Sequence, residues 1–291
     1  MTQNADFQEK YYTSPDGLRL YYRDYNAANS TGTPLLCLHG LTRNSKDFHA
    51  FASALSRDRR VISPDMRGRG RSDYDPDYRN YQVATYARDV LALLDHEQLT
   101  RVIAVGTSMG GLISMAIGSV KPDVFRGIIL NDVGPEVDPE GIKRISAYVG
   151  AGAVLQNWRQ AVNGVKVING PCFPDYAQAD WENFARNTFR EQQDGSIVAD
   201  YDQAIGTAIR DSAENAVPAD LWPMFRALAS VPVMVLRGEN SDILSPETLT
   251  RMAREHPQLT PVIVPNRGHA PDLSEDVSQR EISRFIQQLQ D

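Results

Sequence analysis

"VIAVGTSMGGLISMAIGSV", residues 102–120, contains no charged residue. A membrane span needs about twenty predominantly apolar residues. This stretch has the length but is broken by Gly106, Thr107, Ser108, Gly110, Gly111, Ser114, Gly118 and Ser119. It reads better in two halves. "VIAV" is a short buried strand; Met109, Leu112, Ile113, Ala116, Ile117 and Val120 then recur at helical spacing up to Lys121-Pro122. Between the halves stands "GTSMG", a G-x-S-x-G pattern at a strand-to-helix turn, the context in which that pattern exposes a nucleophile. The flanking glycines admit close backbone approach, and the serine sits at a helix N-terminus, where free N–H groups and the helix dipole favour developing negative charge. Ser108 is the expected nucleophile.

On such a turn the partners follow in the order acid, then histidine. His269, in "NRGHAP" (266–271), comes after the last strand-like run. Two acids compete: Asp242 in "RGENSDILSP" (237–246) and Asp132 in "LNDVGP" (130–135), each at a strand end. Asp242 is the favoured acid and Asp132 the rival; whichever is not used is expected to serve a turn or cap. The expected triad is thus Ser108, Asp242 and His269. The backbone N–H groups of Leu41, in "LCLHGLT" (36–42), and of Met109 are the expected oxyanion donors. His39 reads as a loop-shaping residue.

Working outward, continuously apolar runs recur at 34–40, 59–65, 101–108, 126–134, 231–239 and 260–269. Unbroken runs suit strands buried on both faces of a parallel sheet. Helical patterns at 47–58 and 83–99 alternate with them, and "EKYYTSPDGLRLYYRDYN" (9–26) reads as an antiparallel edge hairpin. Between Asn131 and Val231 the strand rhythm stops. Helical stretches rich in aromatics (Tyr148, Trp158, Phe173, Trp181, Phe184, Phe189, Tyr201) fill the gap, and large apolar side chains distinguish them from a linker. The expected division is a core of 1–134 and 217–291 with an inserted helical cap of 135–216, the chain returning to the sheet through a helix over 218–230.

A net charge of −7 and a pI near 5.3 argue against general affinity for nucleic acid or anionic membrane. Cys37 and Cys172 fall in no CxxC spacing and the histidines in no HExxH, so neither a disulfide framework nor a metal site is expected. The N-terminus carries no basic flank followed by an apolar run, so cytoplasmic residence is the default expectation.

Five motifs in order then resemble the α/β-hydrolase superfamily: "HGLT" (39–42), "DMRGRGRSD" (65–73), "GTSMGG" (106–111), "RGENSDILSP" and "GHAP" (268–271). The resemblance implies the α/β-hydrolase fold, a mostly parallel sheet flanked by helices, and explains Arg67, Arg69 and Arg71 as a structural loop. With its helical cap the chain is similar to small carboxylesterases, enol-lactonases and meta-cleavage-product hydrolases. A carboxylesterase acting on a small-molecule ester without cofactor is the first expectation, and C–C bond or lactone hydrolysis on the same triad the second. In the C–C hydrolases an aromatic residue commonly follows the histidine, whereas here Ala270 does, and a cap arginine binds the substrate carboxylate, a part that Arg186 or Arg190 would play. A non-catalytic ligand-binding homologue is the remaining alternative, and Ser108→Ala separates it from an enzyme.

Overall fold

The computed structural model describes residues 6–26, 32–215 and 220–289. Eight strands form one sheet: β1 (Gln8–Thr13), β2 (Arg19–Tyr25), β3 (Leu35–Leu38), β4 (Val61–Pro64), β5 (Val102–Thr107), β6 (Phe125–Asn131), β9 (Val233–Gly238) and β10 (Leu259–Val264), in the order β1-β2-β4-β3-β5-β6-β9-β10. From β4 to β10 every pairing is parallel; β2 runs antiparallel to both its neighbours. The edge hairpin thus lies where its sequence placed it.

Successive residues of the central strands face opposite layers, the period of two that a pleated strand imposes. Leu36, Leu38, Ala104, Ile128, Leu130, Val233 and Val235 pack against α2 (Val83–His96), α3 (Met109–Val120) and α8 (Trp222–Arg226). Leu35, Cys37, Ile103, Val105, Ile129, Met234 and Leu236 pack on the other face with α1 (His49–Leu55) and α10 (Asp276–Gln288). Both faces are covered, so apolar side chains fill the successive middle positions of these strands. Helix α9 (Pro246–Glu255) links β9 to β10 and contributes Leu249 and Met252. The helix expected over 218–230 is short, and 218 and 219 lie outside the described residues.

Between β6 and α8 come α4 (Pro139–Tyr148), α5 (Trp158–Asn169), α6 (Gln178–Thr188) and α7 (Ala204–Asn215). They also include a hairpin that the sequence reading did not anticipate, β7 (Phe189–Glu191) with β8 (Ile197–Ala199). Ala161, Val162, Val165, Phe173, Trp181, Ala185 and Ile197 form a small separate core there. Val149, Tyr201, Ile205 and Ala208 instead join the main core. Some of the aromatics in this region therefore hold it together, while Phe173 and Phe184 also face the cavity described next.

Candidate active site

Thr107 at the end of β5 pairs with Asn131 at the end of β6, so the next residues, Ser108 and Asp132, leave adjacent strands side by side. Both have positive φ, +50° at Ser108 and +57° at Asp132. Such backbone costs roughly 1–3 kcal/mol and persists only where surrounding structure holds it. Around Ser108 the glycines do so: a Cβ on Gly110 would stand 2.0 Å from the Leu38 carbonyl oxygen, and one on Gly106 2.4 Å from the Gly110 carbonyl carbon. Only hydrogen at these positions lets α3 start directly against β3 and β5.

His269 Nε2 lies 2.9 Å from Ser108 Oγ, and His269 Nδ1 lies 2.8 Å from Asp132 Oδ2. A carboxylate can only accept, so Nδ1–H donates to Asp132 and Nε2 is left to face the serine hydroxyl. Asp132 is fully buried, and it also accepts the Gly238 N–H at 2.8 Å and the Ser241 hydroxyl at 2.6 Å.

The acid beside the histidine is therefore Asp132, and the expectation of Asp242 is corrected. Asp242 is the partner of Arg144 on α4, with Nε–Oδ2 at 2.5 Å and Nη2–Oδ1 at 2.9 Å. Burial pushes the Asp242 carboxyl up, but the hydrogen bonds and charge of Arg144 prevail and hold it below its ordinary value. The sheet order supplies the reason. Strand β6 neighbours β5, whereas β9, which precedes Asp242, lies one strand further out, and each strand adds about 4.8 Å. The loop "GENSDIL" reaches Asp132 through Ser241.

Two contributors were missed in sequence. Asn131 is buried and its Nδ2 donates to Thr107 Oγ1 at 3.0 Å and to the Pro271 carbonyl at 2.8 Å, tying the serine turn to the histidine loop. Ser241 was passed over beside its charged neighbour. The signal available for Asn131 is a polar residue that ends a strand directly after the apolar run Ile128, Ile129 and Leu130.

Leu41 and Met109, the expected oxyanion donors, both meet one side chain, the buried Arg69. Its Nε donates to the Leu41 carbonyl at 2.9 Å, its Nη1 to the Arg67 carbonyl and the Tyr86 hydroxyl at 2.8 Å each, and its Nη2 lies 3.6 Å from Met109 Sδ. Met109 opens α3, where an N–H has no acceptor within the helix. Leu41 lines the cavity beside Ser108. His39 is held in one tautomer, Nδ1 donating to the Gly40 carbonyl at 2.7 Å and Nε2 accepting from Met66 N–H at 3.0 Å. Burial drives its pKa down to about 3, so it stays neutral and shapes the loop. Arg67 forks onto Asp89 and also binds Asp16 and Asp75, a core brace away from Ser108.

Ser108 and His269 open into a cavity of about 360 Å³ between the strand-end loops and helices α4, α5 and α6. Neither cap arginine expected to bind a carboxylate lines it. Arg186 lies 3.6 Å above the Trp158 ring, and Arg190 faces Asp200 at 3.7 Å. Among the described residues no cluster of histidine, cysteine, aspartate or glutamate suits a metal ion, and no helix is long and apolar enough to cross a membrane.

The family profile described as alpha/beta hydrolase fold matches residues 33–275, and the chain belongs to that family. The chain is 35% identical over 265 residues to a 3-hydroxybutyrate-oligomer hydrolase of Cupriavidus necator, with 89% of each sequence covered. It is 29% identical over 257 residues to a 2-(acetamidomethylene)succinate hydrolase of Mesorhizobium japonicum, with 88% of each covered. In structure it is similar to an alpha/beta hydrolase from Novosphingobium aromaticivorans, with a TM-score of 0.90 at 42% identity over 97% of this chain and 99% of that one.

Proposed function

We propose that this protein is a serine carboxylesterase that uses Ser108, His269 and Asp132 to cleave a small ester of a carboxylic acid. The single observation that carries the reading is the continuous hydrogen-bonded chain from Ser108 Oγ through His269 to Asp132, opening into a cavity. Its last member, a buried carboxylate, holds the imidazole tautomer and stabilises the imidazolium once the proton arrives.

In this mechanism His269 Nε2 takes the Ser108 proton as Oγ attacks the ester carbonyl. The oxyanion forms against the backbone N–H groups of Met109 and Leu41. The tetrahedral intermediate expels the alkoxide, which leaves as the alcohol with the proton from Nε2, and an acyl-serine remains. Water then gives its proton to the same nitrogen, attacks the acyl carbon and releases the acid, returning the proton to Ser108. The relative from Cupriavidus, similar along most of its length, supports an oligoester of a small hydroxy acid as substrate.

The test is initial-rate hydrolysis of p-nitrophenyl butyrate, the linear 3-hydroxybutyrate dimer and a 2-hydroxy-6-oxo-dienoate, each with wild type and Ser108→Ala. Serine-dependent cleavage of the esters exceeding that of the dienoate is expected. Preference for the dienoate, or turnover indifferent to the serine, overturns the reading.

A further inference from the structure

The cavity beside Ser108 has, among the described residues, one lysine or arginine in its lining: Arg43, two positions beyond the oxyanion candidate Leu41. Its stem lies close to the nucleophile, since a Cβ built on Gly40 would stand 3.5 Å from Arg43 Cγ and 3.9 Å from Ser108 Cβ.

The guanidinium is held from three sides. Nε and Nη2 bind the two Asp47 oxygens at 2.7 and 2.6 Å, Nη1 donates to Thr188 Oγ1, and the group lies 4.3 Å above the Phe184 ring. A guanidinium has five N–H donors. Three are spent on these partners, leaving one on each Nη nitrogen. The group is thus fixed in place before any ligand arrives, which spares much of the side-chain ordering cost of binding.

A second donor lies near it. Tyr148, at the end of α4, lines the same cavity, and its hydroxyl bonds to no described residue. Burial pushes the Tyr148 phenol above its ordinary value, so it keeps its proton, while the charges of Arg144 and Arg43 act in the opposite sense. Two other carboxylates of the lining are engaged elsewhere: Asp180 accepts the Ala177 N–H at 2.8 Å, and Asp272 takes the hydroxyls of Tyr176 and Ser274. The unspent N–H groups of Arg43 can only donate, and the Tyr148 hydroxyl can donate beside them, so together they suit an acceptor oxygen.

We propose that Arg43 and Tyr148 form a subsite that holds a carboxylate carried by the ester itself, so that the preferred substrate is an ester with a free acid group. This rests on the esterase reading above and deepens it. It also moves the carboxylate-binding role from the cap arginines Arg186 and Arg190 to the loop that follows the oxyanion position.

The experiment compares the linear dimer of 3-hydroxybutyrate with its methyl ester, which keeps the internal ester bond and removes the negative charge. Cleavage of the internal bond is followed by chromatography. Wild type is expected to favour the acid in kcat/KM. In Arg43→Gln the ratio of acid to methyl ester is expected to fall about tenfold or more, the size of a hydrogen bond to a charged group. Arg43→Lys recovers part of that ratio, and Tyr148→Phe, which deletes only the hydroxyl, lowers it severalfold. If Arg43 merely braces the loop against Thr188, both substrates decline together and the ratio stays constant, which overturns the proposal. Calorimetry on Ser108→Ala separates this outcome from failure of the esterase reading. There the dimer acid is expected to bind at least tenfold more weakly once Arg43→Gln is added, whether or not the bond is ever cleaved. Absent binding in Ser108→Ala, or binding that ignores Arg43, overturns the subsite.

Discussion

Exchanging each of the two competing aspartates for asparagine separates their roles with almost no change in volume. Asp132 accepts from His269 Nδ1, Gly238 N–H and Ser241 Oγ at 2.8, 2.8 and 2.6 Å, with no exposure to solvent. An asparagine there still offers one carbonyl oxygen, but the Gly238 N–H can only donate and claims it, so the NH₂ meets the His269 Nδ1–H and the Ser241 hydroxyl in their donating arrangement. The arrangement that relieves this turns the NH₂ toward His269 Nδ1, which reverses the imidazole tautomer and places a proton on Nε2 facing Ser108. Wrong-tautomer triads lose about 10⁴ in kcat, or about 5.5 kcal/mol of barrier at 1.36 kcal/mol per decade.

Asp242→Asn has a different cost. Its side chain is 37% exposed and paired with Arg144, itself 30% exposed. Pairs open to solvent contribute about 0–1 kcal/mol, and no described hydrogen bond joins Asp242 to His269. The expected outcome is therefore a loss near ten-thousandfold for Asp132→Asn and severalfold at most for Asp242→Asn. The assay is steady-state hydrolysis of p-nitrophenyl butyrate, with urea unfolding to confirm that both variants are folded. A thousandfold loss in Asp242→Asn alongside a modest one in Asp132→Asn would refute the assignment and return the acid to the β9 loop.

Three further expectations follow from individual contacts. Gly110→Ala places a methyl 2.0 Å from the Leu38 carbonyl oxygen, so a destabilisation of about 2–4 kcal/mol is expected on overpacking and strain grounds; an unchanged denaturant midpoint would show that α3 can slide. His39 has its folded pKa lowered to about 3 from 6.5, so between those values the unfolded chain binds the proton and the folded one does not. Stability therefore falls with falling pH there, by up to about 1.4 kcal/mol per unit from this group, and urea midpoints of His39→Gln taken from pH 6.5 to 4.5 are expected to show a shallower slope than wild type. Lys46 donates to the Arg186 carbonyl at 3.0 Å and to Asp200 Oδ2 at 2.9 Å; Lys46→Met is expected to speed limited proteolysis of segment 150–200, and equal cleavage rates would count against a role in holding that segment.

The fold was legible because its signals are local. Each buried strand needs apolar residues on both faces, and the serine turn needs glycines where Gly106 and Gly110 meet backbone at 2.4 and 2.0 Å. These requirements act within a few residues, so they leave a mark in sequence. The hairpin of Phe189–Glu191 and Ile197–Ala199 left a weaker one. Each strand is three residues long, too short for alternation to emerge from a helix-rich background. For the cap arginine that the C–C hydrolases use, position on α6 made Arg186 a candidate, whereas in the fold it stacks on Trp158 and does not line the cavity beside Ser108.

The choice of acid is the more instructive case, because sequence order is the same for both candidates. Asp132 and Asp242 each follow a strand, and each stands between the serine and the histidine in the chain. What separates them is lateral position in the sheet and the backbone of one residue. Strand β6 is hydrogen-bonded to β5, and the pairing of Thr107 with Asn131 puts the following residues level. The positive φ of Asp132 accompanies a carboxylate that meets His269 and the Gly238 N–H. At the same time α4 delivers Arg144 to Asp242, a contact between residues 98 positions apart. A motif records neither event. The β9 loop keeps a function in the site nonetheless, since Ser241 and the Gly238 N–H are two of the three donors to Asp132. The loop that sequence reasoning favoured thus does reach the site, but through Ser241 and not through Asp242: the segment that carries Asp242 also supplies donors to Asp132, the carboxylate beside His269.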